Sequence, residues 1–154
     1  MPDCFISYSS ADEDLAYFVH DHLCAQGLDV FMASISLLPG ENWTNVIWNN
    51  LRASPWVIFL ASRAACRSAH AQQELGGALA GEKKIVPIVW EIPPEELPGW
   101  LSQYQALDLR GHSWEDLAVQ VTGIAVRIRA DKAQGTLIAG AFVFGLLWLA
   151  SKKQ

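Results

Sequence analysis

The side chains able to do chemistry are few and unevenly spread along the 154 residues. Ser7, Ser9 and Ser10 close an apolar run near the amino end and lead to the helix opener Asp12. At the end of a strand, their hydroxyls and backbone N–H groups suit a phosphate or a ribose, and Ser9 and Ser10 can equally cap the helix that follows. Phe31 and Met32 lead into a loop containing Pro39-Gly40 and ending in Trp43, an aromatic that can stack on a flat ring or anchor the loop in the core. Glu74 is a lone carboxylate on an Ala-rich helical stretch, four residues after His70, whose imidazole titrates near neutral pH. Taken alone, a helical glutamate is ordinarily a solvated surface group. Cys4, Cys24 and Cys66 lie far apart, match no metal or redox spacing, and read as buried thiols.

Composition narrows the class of protein. The net charge of -5 and the scattered Lys and Arg give no phosphate-tracking stripe, so a nucleic-acid partner is excluded. An apolar fraction of 51% with seven Trp fills the core of one domain and argues against disorder. The opening MPDCFISYSS has neither a basic segment nor a long apolar one, so no secretory signal is expected and a reducing, cytosol-facing setting fits.

The elements that must position these residues alternate along the chain. Cys4 to Tyr8 reads as a strand, and Leu15, Phe18, Val19 and Leu23 recur at helical spacing over about 12–25, with Gly27 at the C-cap. Leu28 to Met32 is a second strand, 33–43 a loop, and Trp43, Ile47 and Leu51 mark a helix that Pro55 ends. Val57 to Leu60 is a third strand, 63–82 a helical stretch, Ile85 to Trp90 a fourth strand, and Leu107 to Leu109 an edge strand. Residues 91–104 are mostly loop with room for a short helix, and Trp114, Leu117, Val121 and Ile124 make a last soluble helix. Five such alternations imply a flavodoxin-like, doubly wound parallel sheet with helices on both faces. Ligands of such sheets bind beyond the carboxyl ends of the strands, here the loops after Tyr8, Met32 and Leu60.

The tail differs from the domain over residues 1–130. No charged residue occurs from Ala133 to Ser151, with Arg127, Arg129 and Lys132 before it and Lys152 and Lys153 after. Nineteen uncharged helical residues come close to spanning a hydrocarbon core of about 30 Å, so 131–154 is expected to be a hydrophobic helix that anchors the domain in a membrane. Burial in an oligomer interface, or lying along a membrane surface, is the alternative. Small residues four apart, such as Gly135 and Ala139, suit close helix packing.

The box Phe5-Ile6-Ser7-Tyr8-Ser9-Ser10-Ala11-Asp12 resembles the first motif of Toll/interleukin-1-receptor (TIR) domains. Leu28-Asp29-Val30-Phe31 with Leu38-Pro39-Gly40-Glu41-Asn42-Trp43 is similar to their second strand and BB loop. Val57 to Ser62 resembles the third strand, Ser68 with Glu74-Leu75 the helix after it, and Lys84 to Ile88 the fourth strand. These matches keep the family's order over residues 2 to about 127, in a bacterial-type arrangement that leaves the tail outside.

The resemblance implies one of two kinds of work. Many family members are non-catalytic adaptors that recruit other TIR proteins, and others cleave the nicotinamide–ribose bond of NAD+ to give ADP-ribose or a cyclic or conjugated signal. For an enzyme of that kind, Glu74 would be the catalytic residue, and Ser7, Ser9, Ser10, Phe31, Met32, Trp43 and His70 the candidates for substrate contact. His70 departs from the aromatic that family members often carry there. NAD+ would be a substrate, and no metal or resident cofactor is implied. Self-association through the BB loop at 33–43, other TIR or effector proteins as partners, and a part in antiphage or immune signalling are also implied. A membrane-perforating tail is the least favoured reading, since one short helix with no polar stripe is a poor pore former.

Overall fold

The structure, a computed structural model, describes residues 1–34, 44–67, 76 and 83–151, the side chains of 138–151 excepted. Five parallel strands form one sheet: β1 (Cys4–Tyr8), β2 (Val30–Ser34), β3 (Trp56–Leu60), β4 (Lys84–Val89) and β5 (Leu107–Asp108), in the order β2-β1-β3-β4-β5. The expected doubly wound, flavodoxin-like arrangement is what the chain adopts. Its central strands β1 and β3 are buried at every position, as continuous apolar runs covered on both faces must be.

Strand alternation sends side chains to two cores. Cys4, Ile6, Tyr8, Ile58, Leu60 and Ile88 face α1 (Glu13–Ala25) and α4 (Trp114–Ser151). Phe5, Ala33, Val57, Phe59, Ile85 and Val89 face the side that holds α2 (Asn45–Ala53) and α3 (Arg63–Arg67). Cys4 is buried in the first core, which pushes its thiol far above the ordinary range, whereas Cys24 is exposed and Cys66 half-buried. The expectation of buried thiols therefore holds for Cys4 and fails for Cys24, which lies on the outer face of α1.

Local chemistry moves two element boundaries. After α1, Gly27 takes φ +81°, its N–H reaches the Cys24 carbonyl at 2.9 Å, and the Leu28 N–H reaches the Leu23 carbonyl at 3.3 Å. This is a Schellman cap, with Leu28 closing over the helix rather than starting the strand. Asp3 then holds the Asp29 N–H at 2.9 Å, so the β2 ladder begins at Val30 and runs to Ser34, two residues later than the sequence suggests. The helix α4 starts on a reciprocal cap, in which Ser113 Oγ accepts from the Asp116 N–H and Asp116 accepts from the Ser113 N–H, each at 3.2 Å.

From that cap α4 continues without a break through Ser151. Leu117, Val121, Ile124 and Ile128 bury its inner stripe against the first core. Asp131 accepts from Trp56 Nε1 at 3.0 Å and pairs with Lys84, while Lys132 pairs with Asp3 at 2.9 Å. The helix thus remains part of the domain through Lys132, across the expected boundary at residue 130. Among the described residues no helix is long and apolar enough to cross a membrane. The expected span falls mainly on 138–151, where the backbone is helical and the side chains lie outside those described.

Candidate functional site

The sheet order changes direction beside β1, so the crevice that such folds use lies at the carboxyl ends of β1 and β3. Three segments converge there. Ser9 Oγ accepts from the Ala11 N–H at 3.4 Å and its carbonyl accepts from the Asp12 N–H at 2.8 Å, which turns the chain from β1 into a short 3-10 turn, Ser10–Asp12. The Asp12 carboxylate is 9% exposed and accepts from the hydroxyl of Ser62, just beyond β3. Ser62 Oγ in turn accepts from the Ala65 N–H at 3.1 Å, capping α3. Glu91, beyond β4, accepts from the Arg63 N–H at 3.0 Å. The loops after β1, β3 and β4 are therefore fastened in series. Burial raises the Asp12 carboxyl above its ordinary range, the Ser62 hydrogen bond opposes that, and the charge of Glu91 adds to it.

Ser7 lies inside β1, between Ala33 and Phe59 in the register, on the face toward α2 and α3. Its hydroxyl is fully buried and has no hydrogen-bond partner among the described residues. A buried orphan hydroxyl costs about 1–3 kcal/mol, which a ligand oxygen or nitrogen reaching that face would recover. On the same face Phe31 stacks on Phe5 with centroids 5.7 Å apart. Trp100 meets Phe59 edge-on at 5.7 Å, and the helical residue Gly76 lies so close to the Trp100 ring that a Cβ there would sit at 3.4 Å. The Trp100 Nε1 is also buried without a partner among the described residues.

The predicted residues divide accordingly. Ser7 and Phe31 share one face; Met32, one residue on, packs into the opposite core, so a pocket on either face is lined by only one of the pair. Ser9 is buried as a cap and Ser10 is exposed on the same turn. Glu74, His70 and Trp43 lie outside the described residues, as does most of the expected BB loop. Asp12, Ser62 and Glu91 were missed as a unit. The sequence marks Asp12 as a helix opener and Ser62 as the end of a strand, but nothing in it signals a contact across 50 positions. Among the described residues no group of His, Cys, Asp and Glu could hold a metal ion.

A doubly wound α/β domain whose polar loops meet at the switch point is the class that fold and site define. The TIR domain family model matches residues 4–121. The chain belongs to the TIR domain family. A probable 2′ cyclic ADP-D-ribose synthase from Brachypodium distachyon is 27% identical over 97 residues, covering 62% of this chain and 43% of that protein. The chain thus matches less than half of that relative's length. Among solved structures, the TIR domain of the Toll-related receptor TRR-2 from Hydra magnipapillata superposes with a TM-score of 0.55 at 20% identity, covering 79% of this chain and 99% of that one. A flavodoxin-like domain from Synechococcus gives a TM-score of 0.59 at 13% identity, covering 85% and 99%. At these identities the structural likenesses show the fold.

Proposed function

We propose that this TIR domain cleaves the nicotinamide–ribose bond of NAD+, with Glu74 as the catalytic carboxylate. Membership of the family and the name of the Brachypodium relative support an NAD+ glycohydrolase or ADP-ribosyl cyclase. The observation that carries the reading on this chain is the buried Ser7 hydroxyl, unpartnered among the described residues and facing the side on which Gly76 packs against Trp100.

The chemistry asks little of the protein. The pyridinium nitrogen of NAD+ is cationic, so nicotinamide leaves without a general acid. Charge then develops on the ribose as an oxocarbenium-like centre, and a carboxylate beside it stabilises that charge and holds the ribose hydroxyls. Ser7, Ser9 and Ser10 would contact ribose or phosphate, with Phe31, Met32, Trp43 and His70 around the rings. We further propose that activity requires self-assembly through the loop at 33–43, serving antiphage or immune signalling. The uncharged run 133–151 would hold the domain at the cytoplasmic side of a membrane.

The test is NAD+ consumption by the full chain in detergent at high concentration, wild type beside Glu74→Ala, with products separated by chromatography. Loss of NAD+ in the wild type alone supports the enzyme, and the product peak distinguishes hydrolysis from cyclisation. No loss in either, with the protein visibly oligomeric, would sink the reading in favour of a scaffold that recruits other TIR proteins.

A further inference from the structure

The net charge of -5 conceals two poles of opposite sign. At the carboxyl ends of the strands, Glu13 and Asp14 open α1, Glu115 and Asp116 open α4, and Glu91 follows β4. Of the cations at that end, Arg110 is engaged by Asp108 and Arg63 lies against Glu91. At the amino ends the balance reverses. Lys83 precedes β4 and Lys84 opens it, Arg52 lies in the last turn of α2, and α4 brings Arg127, Arg129 and Lys132 to the same end. Against these six cations stand four carboxylates among the described residues, Asp3, Asp21, Asp29 and Asp131.

The geometry of α4 explains this placement. The helix starts beyond the carboxyl end of β5 and runs antiparallel to the strands, so Asp131 meets the first residues of β3 and β4, and Lys132 meets Asp3 just ahead of β1. It then leaves the domain at the basic pole and stays helical to Ser151, through nineteen residues that carry no charge, roughly 28 Å of helix. Beside its exit lies a groove of about 530 Å³ lined by Lys83, Lys84, Arg127, Trp56 and Tyr104. Arg127 and Arg129 are exposed, and the Lys84 side chain is 58% exposed even while paired.

We propose that this basic pole is a docking surface for an anionic lipid bilayer, which holds the candidate site on the far pole toward the solvent. A negative bilayer attracts the pole with six cations and repels the one rich in carboxylates, so the domain is oriented as well as bound. The uncharged helix that emerges at the basic pole marks the same direction. The groove gives the phosphate and carboxylate of a lipid headgroup access to Arg127 and to the exposed Lys84, while the Lys83 ammonium beside them is held by the carbonyls of Arg52 and Ser54. The proposal is independent of the NAD+ reading.

The test is flotation of the full chain with vesicles of phosphatidylcholine alone or containing about 30 mol% phosphatidylserine. Binding is expected to be stronger on the anionic vesicles and to fall in high salt, because surface charge is screened within about 10 Å at 0.1 M and about 3 Å at 1 M. The double variant Arg127→Gln/Arg129→Gln should weaken anionic binding about 25-fold, roughly fivefold per residue, and leave phosphatidylcholine binding unchanged. Arg110→Gln, at the other pole, should leave both as they are. Equal binding to the two kinds of vesicle, or a double variant that floats like the wild type, would overturn the proposal. Salt-sensitive anionic binding with none on phosphatidylcholine would uphold the basic pole while removing the apolar anchor.

Discussion

Replacing Ser62 by Ala removes two interactions that the fold cannot obtain elsewhere. Ser62 Oγ caps α3 by accepting from the Ala65 N–H at 3.1 Å, and a lost cap of this kind costs about 1 kcal/mol. The same hydroxyl donates to Asp12, which is 9% exposed, and a buried carboxylate deprived of its donor costs about 2 kcal/mol more. The expected loss at neutral pH is therefore about 3 kcal/mol. With a urea slope near 2 kcal/mol/M, the unfolding midpoint of the full chain in mild detergent should fall by about 1.5 M.

The pH dependence separates the two contributions. Burial sets the Asp12 carboxyl above its ordinary range, and the Ser62 hydroxyl draws it back down. Losing that hydroxyl raises it further, and a protonated acid no longer needs the donor. The charge penalty therefore shrinks as the pH falls through the raised pKa, leaving the cap, so the loss should be smaller in acid than at neutral pH and approach about 1 kcal/mol once Asp12 is protonated. The reverse substitution, Asp12→Ala, leaves no buried charge and spares the cap, and should cost no more than about 1 kcal/mol at neutral pH. A Ser62→Ala cost that is equal in acid and at neutral pH, or matched by Asp12→Ala, would refute the reasoning.

Two other perturbations follow from the same geometry. Gly27→Ala meets nothing within 4 Å of the new Cβ, so its cost is that of φ +81° alone, about 1 kcal/mol; it should lower the melting temperature by a few degrees in a thermal scan, with Gly27→Asn recovering part of the loss. Hydrogen bonds from Arg110 hold the Asp108 carboxyl down at about 2, so an NMR titration should find it still ionised at pH 3 and Arg110→Gln should return it to the ordinary carboxylate range. Because the folded value is depressed, whatever stability this pair provides is present above the ordinary range and is lost as the pH falls through about 2.

Much of the fold was legible in the sequence, because the strongest signals are local. The five-residue apolar runs of β1 and β3 read as strands because a doubly covered parallel strand must be apolar at every position. The helix α1, Glu13–Ala25, follows from its spacing and its Gly27 stop, and the order of motifs over 4–121 carries the family. Glu74 and the serines of the first motif are named by the family resemblance alone, and Glu74 lies outside the described residues.

What the sequence alone left open depends on groups distant along the chain. The two-residue shift of β2 comes from the Leu28 cap and the hold of Asp3 on Asp29, and neither is visible in local hydrophobicity. Phe31 and Met32 look like neighbours on one wall, but strand alternation sends them to opposite cores. Asp12 and Ser62 carry no joint signal across 50 positions, and the orphan hydroxyl of Ser7 exists only because the register sets it between Ala33 and Phe59. Charge shows the difference most plainly. Composition determined a net value of -5, whereas the antiparallel course of α4 decided where that charge stands, gathering cations at the end from which the uncharged helix leaves. Composition sums charges along the chain, and only the folded backbone gives them positions in space.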